Sequence, residues 1–168
     1  MEKRNTAFTL IELVVTLTII AILAAVALPR YINLQSQARA AKLSGIYGAV
    51  RSAAALAKAQ CLVDLSGVNA VNPNPNNQPL CTNVGGTVNM DGQAIAMINQ
   101  YPAASTAGIQ AAAQINPNTD GIQVTISGST ATFAIVGAST PGGCQFSYQE
   151  SLGPGQAPIY QQPVTTGC

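Results

Sequence analysis

Apolar positions fall into three regimes along this chain. From Phe8 to Leu28 they are nearly continuous, with Glu12 as the single charge in 21 residues. Such a run predicts a helix of about 32 Å, enough to cross a bilayer core. From Tyr31 to Gln60 the apolar positions thin out and become periodic. Leu43, Ile46, Val50, Ala53 and Ala57 fall at i, i+3, i+7, i+10 and i+14, one face of an amphipathic helix. Pro29 lies between the two regimes and predicts a kink or a loosened turn, because it withholds the hydrogen bond to the Ala25 carbonyl. If the two parts are nearly continuous, Phe8 to Gln60 makes a rod of about 80 Å. A small head cannot bury a rod that long, so its first half needs lipid or other copies of itself.

The third regime alternates. "IQVTIS" (Ile122–Ser127) and "TATFAIV" (Thr130–Val136) read as strands joined by a two-residue hairpin turn at Gly128-Ser129. "CQFSYQE" (Cys144–Glu150) predicts a third strand. Short helices are expected over Gly92–Asn99 and over Ser105–Ile115, the latter with Ser105 as its cap. "NPNPNNQP" (Asn72–Pro79) and the Pro-, Gly- and Gln-rich tail from Gly153 read as loop. The expected fold class is α+β: a long N-terminal α-helix packed against a small antiparallel β-sheet head.

Charge adds a polarity to this layout. Only 8% of residues are charged and the net charge is +1. Arg30 to Lys58 holds five cations (Arg30, Arg39, Lys42, Arg51, Lys58) and no acid, whereas Ala59 to Cys168 holds four acids (Asp64, Asp91, Asp120, Glu150) and no cation. A basic stem and an acidic head can attract neighbouring copies, and salt would screen that attraction. A head without Lys or Arg disfavours a nucleic-acid partner.

All four cysteines, Cys61, Cys81, Cys144 and Cys168, lie after the apolar run. Four cysteines allow three pairings. If the run exports the domain behind it, the compartment is oxidising and disulfides form. Sequence proximity favours Cys61–Cys81 and Cys144–Cys168, the second tying the C-terminal loop to the body; buried free thiols are the alternative. The chain has no His and no C-x-x-C, so neither metal nor cofactor is expected. It also lacks a base-activated nucleophile, paired carboxylates at short spacing and a phosphate-binding Gly loop, which argues against an enzyme.

Glu12 separates three readings of the first thirty residues. A secretory signal peptide fits the basic start and the Ala25/Ala27 pair, but the apolar run exceeds its usual length. A plain anchor fits the length yet leaves a carboxylate that costs about 2.5–3.5 kcal/mol in hydrocarbon. In the third reading the chain is cut between Ala7 and Phe8. The new amine of Phe8 then sits one helical turn from Glu12, and that amine, or a neighbouring copy's, can neutralise the carboxylate. This is assembly chemistry.

The stretch "AFTLIELVVTLTIIAILAAVALPRY" (Ala7–Tyr31) resembles the N-terminal segment of type IV pilins, with Phe8 to Leu13 matching F-T-L-I-E-L and Pro29 matching the helix-interrupting proline. The resemblance covers about Ala7 to Gln60. It implies the pilin fold, whose C-terminal loop is closed by a disulfide, here Cys144–Cys168. It implies a leader at 1–7, a transmembrane and filament-core half-helix at 8–28, an amphipathic half at 29–60 and a globular head at 61–168. It further implies leader removal and N-methylation of Phe8 by a prepilin peptidase, and storage in the inner membrane. An assembly machine would then extract the subunits into a homo-oligomeric helical filament outside the cell, with Glu12 meeting the Phe8 amine of a neighbour. Two positions depart from the pattern: Ala7 precedes the cut and Ala21 lies eight residues before Pro29, where the family has Gly. "MINQYPAAS" (Met97–Ser105) is similar to the mannose-sensitive haemagglutinin group of pilins. The implied role is a structural subunit for adhesion, motility or attachment. Rivals are a minor pilin or adhesin, a type II secretion pseudopilin and, remotely, an enzyme.

Overall fold

The computed structural model describes residues 8–67, 80–140 and 142–168; the expected leader and the Asn72–Pro79 loop lie outside them. Helix α1 runs from Leu10 to Leu65 and contains Pro29 without a break in its helical path. It also passes five residues beyond the expected end at Gln60, taking Cys61 and Asp64 into its last turns. By their contacts the residues divide into two compact units, up to Ala38 and from Arg39 onward.

In the first unit the apolar side chains of α1 stand open. Leu10, Ile11, Ile20, Ile22, Leu23, Val26, Leu28, Ile32 and Leu34 are each more than half exposed.

In the second unit the expected stripe is the inner face. Leu43, Val50, Ala53 and Ala57 are buried, joined by Ala54, Cys61 and Asp64, and Ile46 packs beside them. Beyond α1 come β1 (Gly85–Met90), β2 (Gln93–Ile98), β3 (Tyr101–Pro102), a wide helical turn over Thr106–Gln110 and the one-turn helix α2 (Pro117–Asp120). Strands β4 (Ile122–Ser127), β5 (Thr130–Ile135), β6 (Gln145–Gln149) and β7 (Ile159–Tyr160) complete the described elements. They form two antiparallel sheets, ordered β1-β2-β3 and β4-β5-β6-β7.

The α+β class and the antiparallel strands β4, β5 and β6 match the sequence reading, including the turn at Gly128-Ser129 closed by Ser127 opposite Thr130. The helix expected over Gly92–Asn99 is instead β2. Asp91 and Gly92 both take positive φ, 50° and 80°, and Met90 pairs with Gln93 across them. A two-residue turn of that hand launches a hairpin, and Ile95 and Met97 then alternate inward. A second such turn, Asn99-Gln100 at φ 49° and 69°, adds β3. The helix expected over Ser105–Ile115 is shorter than that range. Gly108 breaks helical geometry inside it and Ser105 makes no side-chain cap.

The core has two parts that share α1. Leu43, Val50 and Ala54 meet the four-stranded sheet at Phe133, Phe146 and Tyr148. Ala53, Ala57 and Cys61 meet the three-stranded sheet at Val88, Ile95 and Met97. Burying each large side chain contributes about 1.5–3 kcal/mol. Phe133 stacks on Phe146 at 5.0 Å, and Tyr47 of α1 meets Phe146 edge-on at 5.3 Å. Tyr148 donates its hydroxyl to the Pro102 carbonyl at 2.6 Å, linking β6 to β3.

Candidate functional site

The N-terminal segment is built to start a helix and then stay apolar. Thr9 stands before the first helical residue and its Oγ1 accepts the amide of Glu12 at 3.3 Å. Thr-x-x-Glu is the spacing of a capping box, and Phe8 and Leu13 hold the staple positions around it. Glu12 therefore occupies the third helical position, where the positive end of the helix dipole favours a carboxylate. The sequence reading offers only an amine as its partner, although the Thr9 spacing is equally visible there. Phe8 is 74% exposed. Ala7 lies outside the described residues.

Thr16 and Thr18 would be further polar liabilities in hydrocarbon. Their hydroxyls turn back onto the carbonyls of Leu13 and Val15, each at 2.8 Å. This self-satisfaction lets a polar side chain enter an apolar solvent without an orphaned group. Together with the exposed apolar side chains, it leaves a surface long and apolar enough to cross a membrane, none of it buried. Pro29 sits within this unit as a helical residue.

The cysteines pair as sequence proximity favours. Cys61–Cys81 closes at a Cα separation of 5.4 Å and Cys144–Cys168 at 4.7 Å, and no free thiol remains. Each bond lies in a different part of the core. Beside the first, Asp64 is 1% exposed and its Oδ2 accepts the Cys81 amide at 2.7 Å.

The cations of α1 in the second unit are engaged by backbone oxygens and tyrosines of the same chain. Arg39 Nη1 donates to the Cys168 carbonyl at 2.9 Å, and Lys42 donates to the Asp120 carbonyl. Lys58 donates to the Tyr101 hydroxyl at 2.7 Å and lies over that ring. Arg51 lies 5.6 Å from the ring centres of both Tyr47 and Tyr160. These contacts lie within one copy of the chain. Burial, reinforced by Tyr101, pushes the Tyr160 hydroxyl up to about 12 against the opposing pull of Arg51. Burial pushes Tyr148 further up.

The concavities of the second unit are open and shallow. One, of about 420 Å³, lies between the Met90–Asp91 turn and the Gln110–Pro117 segment. Among the described residues no three His, Cys, Asp or Glu side chains gather at one place.

Comparison with known proteins agrees with this geometry. Residues 3–28 match the family description "Prokaryotic N-terminal methylation motif". Over 57 residues the chain is 47% identical to the type IV narrow pilus major component PilA5 of Thermus thermophilus, a match spanning 34% of this chain and 49% of that relative. The chain thus spans about half the length of the curated relative it matches. No solved structure matches it. At its N-terminus, where a methylation signal heads an uncovered apolar helix, the chain is similar to a type IV pilus major component.

Proposed function

We propose that the chain is the major structural subunit of an extracellular helical filament of the type IVa kind, used for adhesion, motility or surface attachment. One observation carries the reading: the first unit presents an apolar helical surface that nothing among the described residues covers. Such a surface has two stable solvents, lipid before assembly and the stems of neighbouring copies after it.

In this reading residues 1–7 are a leader that a prepilin peptidase removes between Ala7 and Phe8, methylating the Phe8 amine. Residues 8–28 anchor the precursor in the inner membrane and later line the filament core. Residues 29–60 form the amphipathic half carrying the head, 61–168. The assembly machinery lifts the subunit out of the membrane, and Glu12 takes the Phe8 amine of a neighbouring subunit as its counter-ion. The N-cap at Thr9 supports this role, because it fixes the first turn and presents the carboxylate at a set height on the helix. A carboxylate neutralised only in the correct register also selects that register.

Mass spectrometry of purified filaments tests the processing: the N-terminus should be methylated Phe8, and an N-terminus at Leu28 would instead mark a secreted protein. Glu12→Gln tests the pairing. The subunit should still reach the membrane at normal level while surface filaments disappear from electron micrographs. Abundant normal filaments from that variant would remove Glu12 from assembly.

A further inference from the structure

Among the described residues, the acids of the second unit leave one facing outward. Asp64 is buried on the Cys81 amide. Asp120 accepts the Asn116 amide at 2.8 Å, and Glu150 accepts the Ala104 amide at 2.5 Å. Asp91 is different. It stands exposed at the tip of the β1–β2 turn and meets a neutral amide, Gln114 Nε2, at 2.8 Å. At its foot lies a groove of about 290 Å³ whose walls include Ala49, Ala53, Leu56, Met90 and Ala112, with Asp91 as the one charge among the described residues. A second hollow of about 230 Å³ continues along Leu56, Met90 and Asp91. Leu56, on the helix wall, is 59% exposed. Ser52 and Gln114 also line the first hollow and Gln60 and Asn89 the second, so this is a partly apolar trough with a single anion at its rim.

The same chain holds the complementary shape. Arg39, Lys42, Arg51 and Lys58 are engaged within the second unit. Arg30 lies in the first unit, exposed, and makes no hydrogen bond or ring contact among the described residues. Leu23, Val26, Arg30 and Leu34 share one face of α1 by helical periodicity, and the three apolar members are each more than 60% exposed. That face is apolar with a single cation in it.

We propose that the groove beside Asp91 receives the Leu23–Leu34 face of α1 from a second copy of this chain, with Arg30 of one copy paired to Asp91 of the other. The inference rests on the filament reading and names a contact within it. Apolar contact between the trough and the Leu23, Val26 and Leu34 side chains supplies the attraction. The ion pair, exposed and individually weak, sets which height of the stem meets which head, and its repetition along a filament multiplies that selectivity.

The test measures pilin in the filament fraction sheared from cells. Asp91→Lys and Arg30→Glu each place like charges at the contact, and each should lower that fraction about tenfold. The double variant restores opposite charges in swapped order and should recover most of the loss. Intact mass of each variant, showing both disulfides formed, separates a lost contact from a misfolded head. As a second readout, Arg30→Lys filaments treated with a carbodiimide should yield a cross-linked peptide joining position 30 of one chain to Asp91 of another. Single variants that assemble normally, or a double variant no better than either single, would overturn the contact and leave the filament reading intact. Absence of filaments from the wild-type chain would overturn both.

Discussion

At the scale of single residues, two carboxylates illustrate what a sequence can and cannot carry. Glu12 is legible because its surroundings are local: an apolar run makes its charge conspicuous, and Thr9 three residues earlier is all that the cap requires. Asp64 is not legible. In the sequence it is one of four scattered acids, and its burial depends on the amide of Cys81, which folding brings from 17 positions away. Among the described residues its Oδ1 has no hydrogen-bond partner, so its place rests on the single bond through Oδ2. Asp64→Ala should leave the Cys81 amide without that acceptor and destabilise the second unit by about 1–3 kcal/mol, whereas Asp64→Asn keeps an oxygen in place and should cost less. Urea unfolding of the oxidised full chain in mild detergent, monitored by near-ultraviolet circular dichroism, checks the order. An alanine variant as stable as wild type would show that the bond contributes nothing.

At the scale of elements, legibility tracks periodicity. The inner face of α1 and strands β4 to β6 repeat every 3.6 or every two residues over a sufficient length, and the sequence reveals them. Strand β2 reads wrongly as a helix because "GQAIAMIN" has the composition of one, while its alternation spans only Ile95 and Met97. The Asp-Gly pair before it carries the decisive signal. Helix α2 escapes the sequence reading although Asn116 caps it, Pro117 opens it and Gly121 closes it in the left-handed region at φ 59°. Strands β3 and β7, two residues each, exist through their pairing and leave no pattern to read. Two glycines distinguish conformational from steric demand. Gly92 has φ +80° with open space where a Cβ would stand, so Gly92→Ala should cost about 1 kcal/mol through backbone strain alone. At Gly108 a Cβ would run into the backbone of Ala103, so Gly108→Ala must displace main chain and should cost about 3 kcal/mol. Thermal unfolding of the two variants side by side checks the ranking, and equal losses would mean that the Thr106–Gln110 turn yields easily.

At the scale of the whole molecule, the second unit is two sheets sharing one helix, with a disulfide in each part of its core. The helix, the class and the cysteine pairs are all readable from the sequence. The division into two sheets is not, because nothing local marks where one sheet stops and the next begins. Besides the shared helix and the bond from Asn99 Nδ2 to the Ser151 carbonyl, Tyr148 links the two parts. Tyr148 ties β6 to the Pro102 carbonyl, its ring lies 5.4 Å from that of Tyr160, and Tyr160 faces Arg51 of α1. This arrangement requires neutral phenols, since an ionised Tyr148 could not donate to a carbonyl. The folded chain holds Tyr160 at about 12 and Tyr148 higher, against an ordinary value of 10.0. An acid whose value is raised on folding keeps its proton better in the folded state, so its stabilising effect is complete below pH 10.0 and disappears as pH rises toward the folded value. Stability should therefore hold level up to about pH 10 and fall steeply between there and pH 12. Urea midpoints measured across that range, with all cysteines oxidised, should show the decline, and Tyr160→Phe should reduce its slope by removing one titrating group while leaving a ring for Arg51 to face. A phenolate absorbance titration of the folded protein gives an independent reading: Tyr148 and Tyr160 should ionise above the ordinary phenol range, in step with unfolding. Ionisation of Tyr148 and Tyr160 near pH 10 without loss of structure would show that the Tyr148 bond contributes nothing to holding the two sheets together.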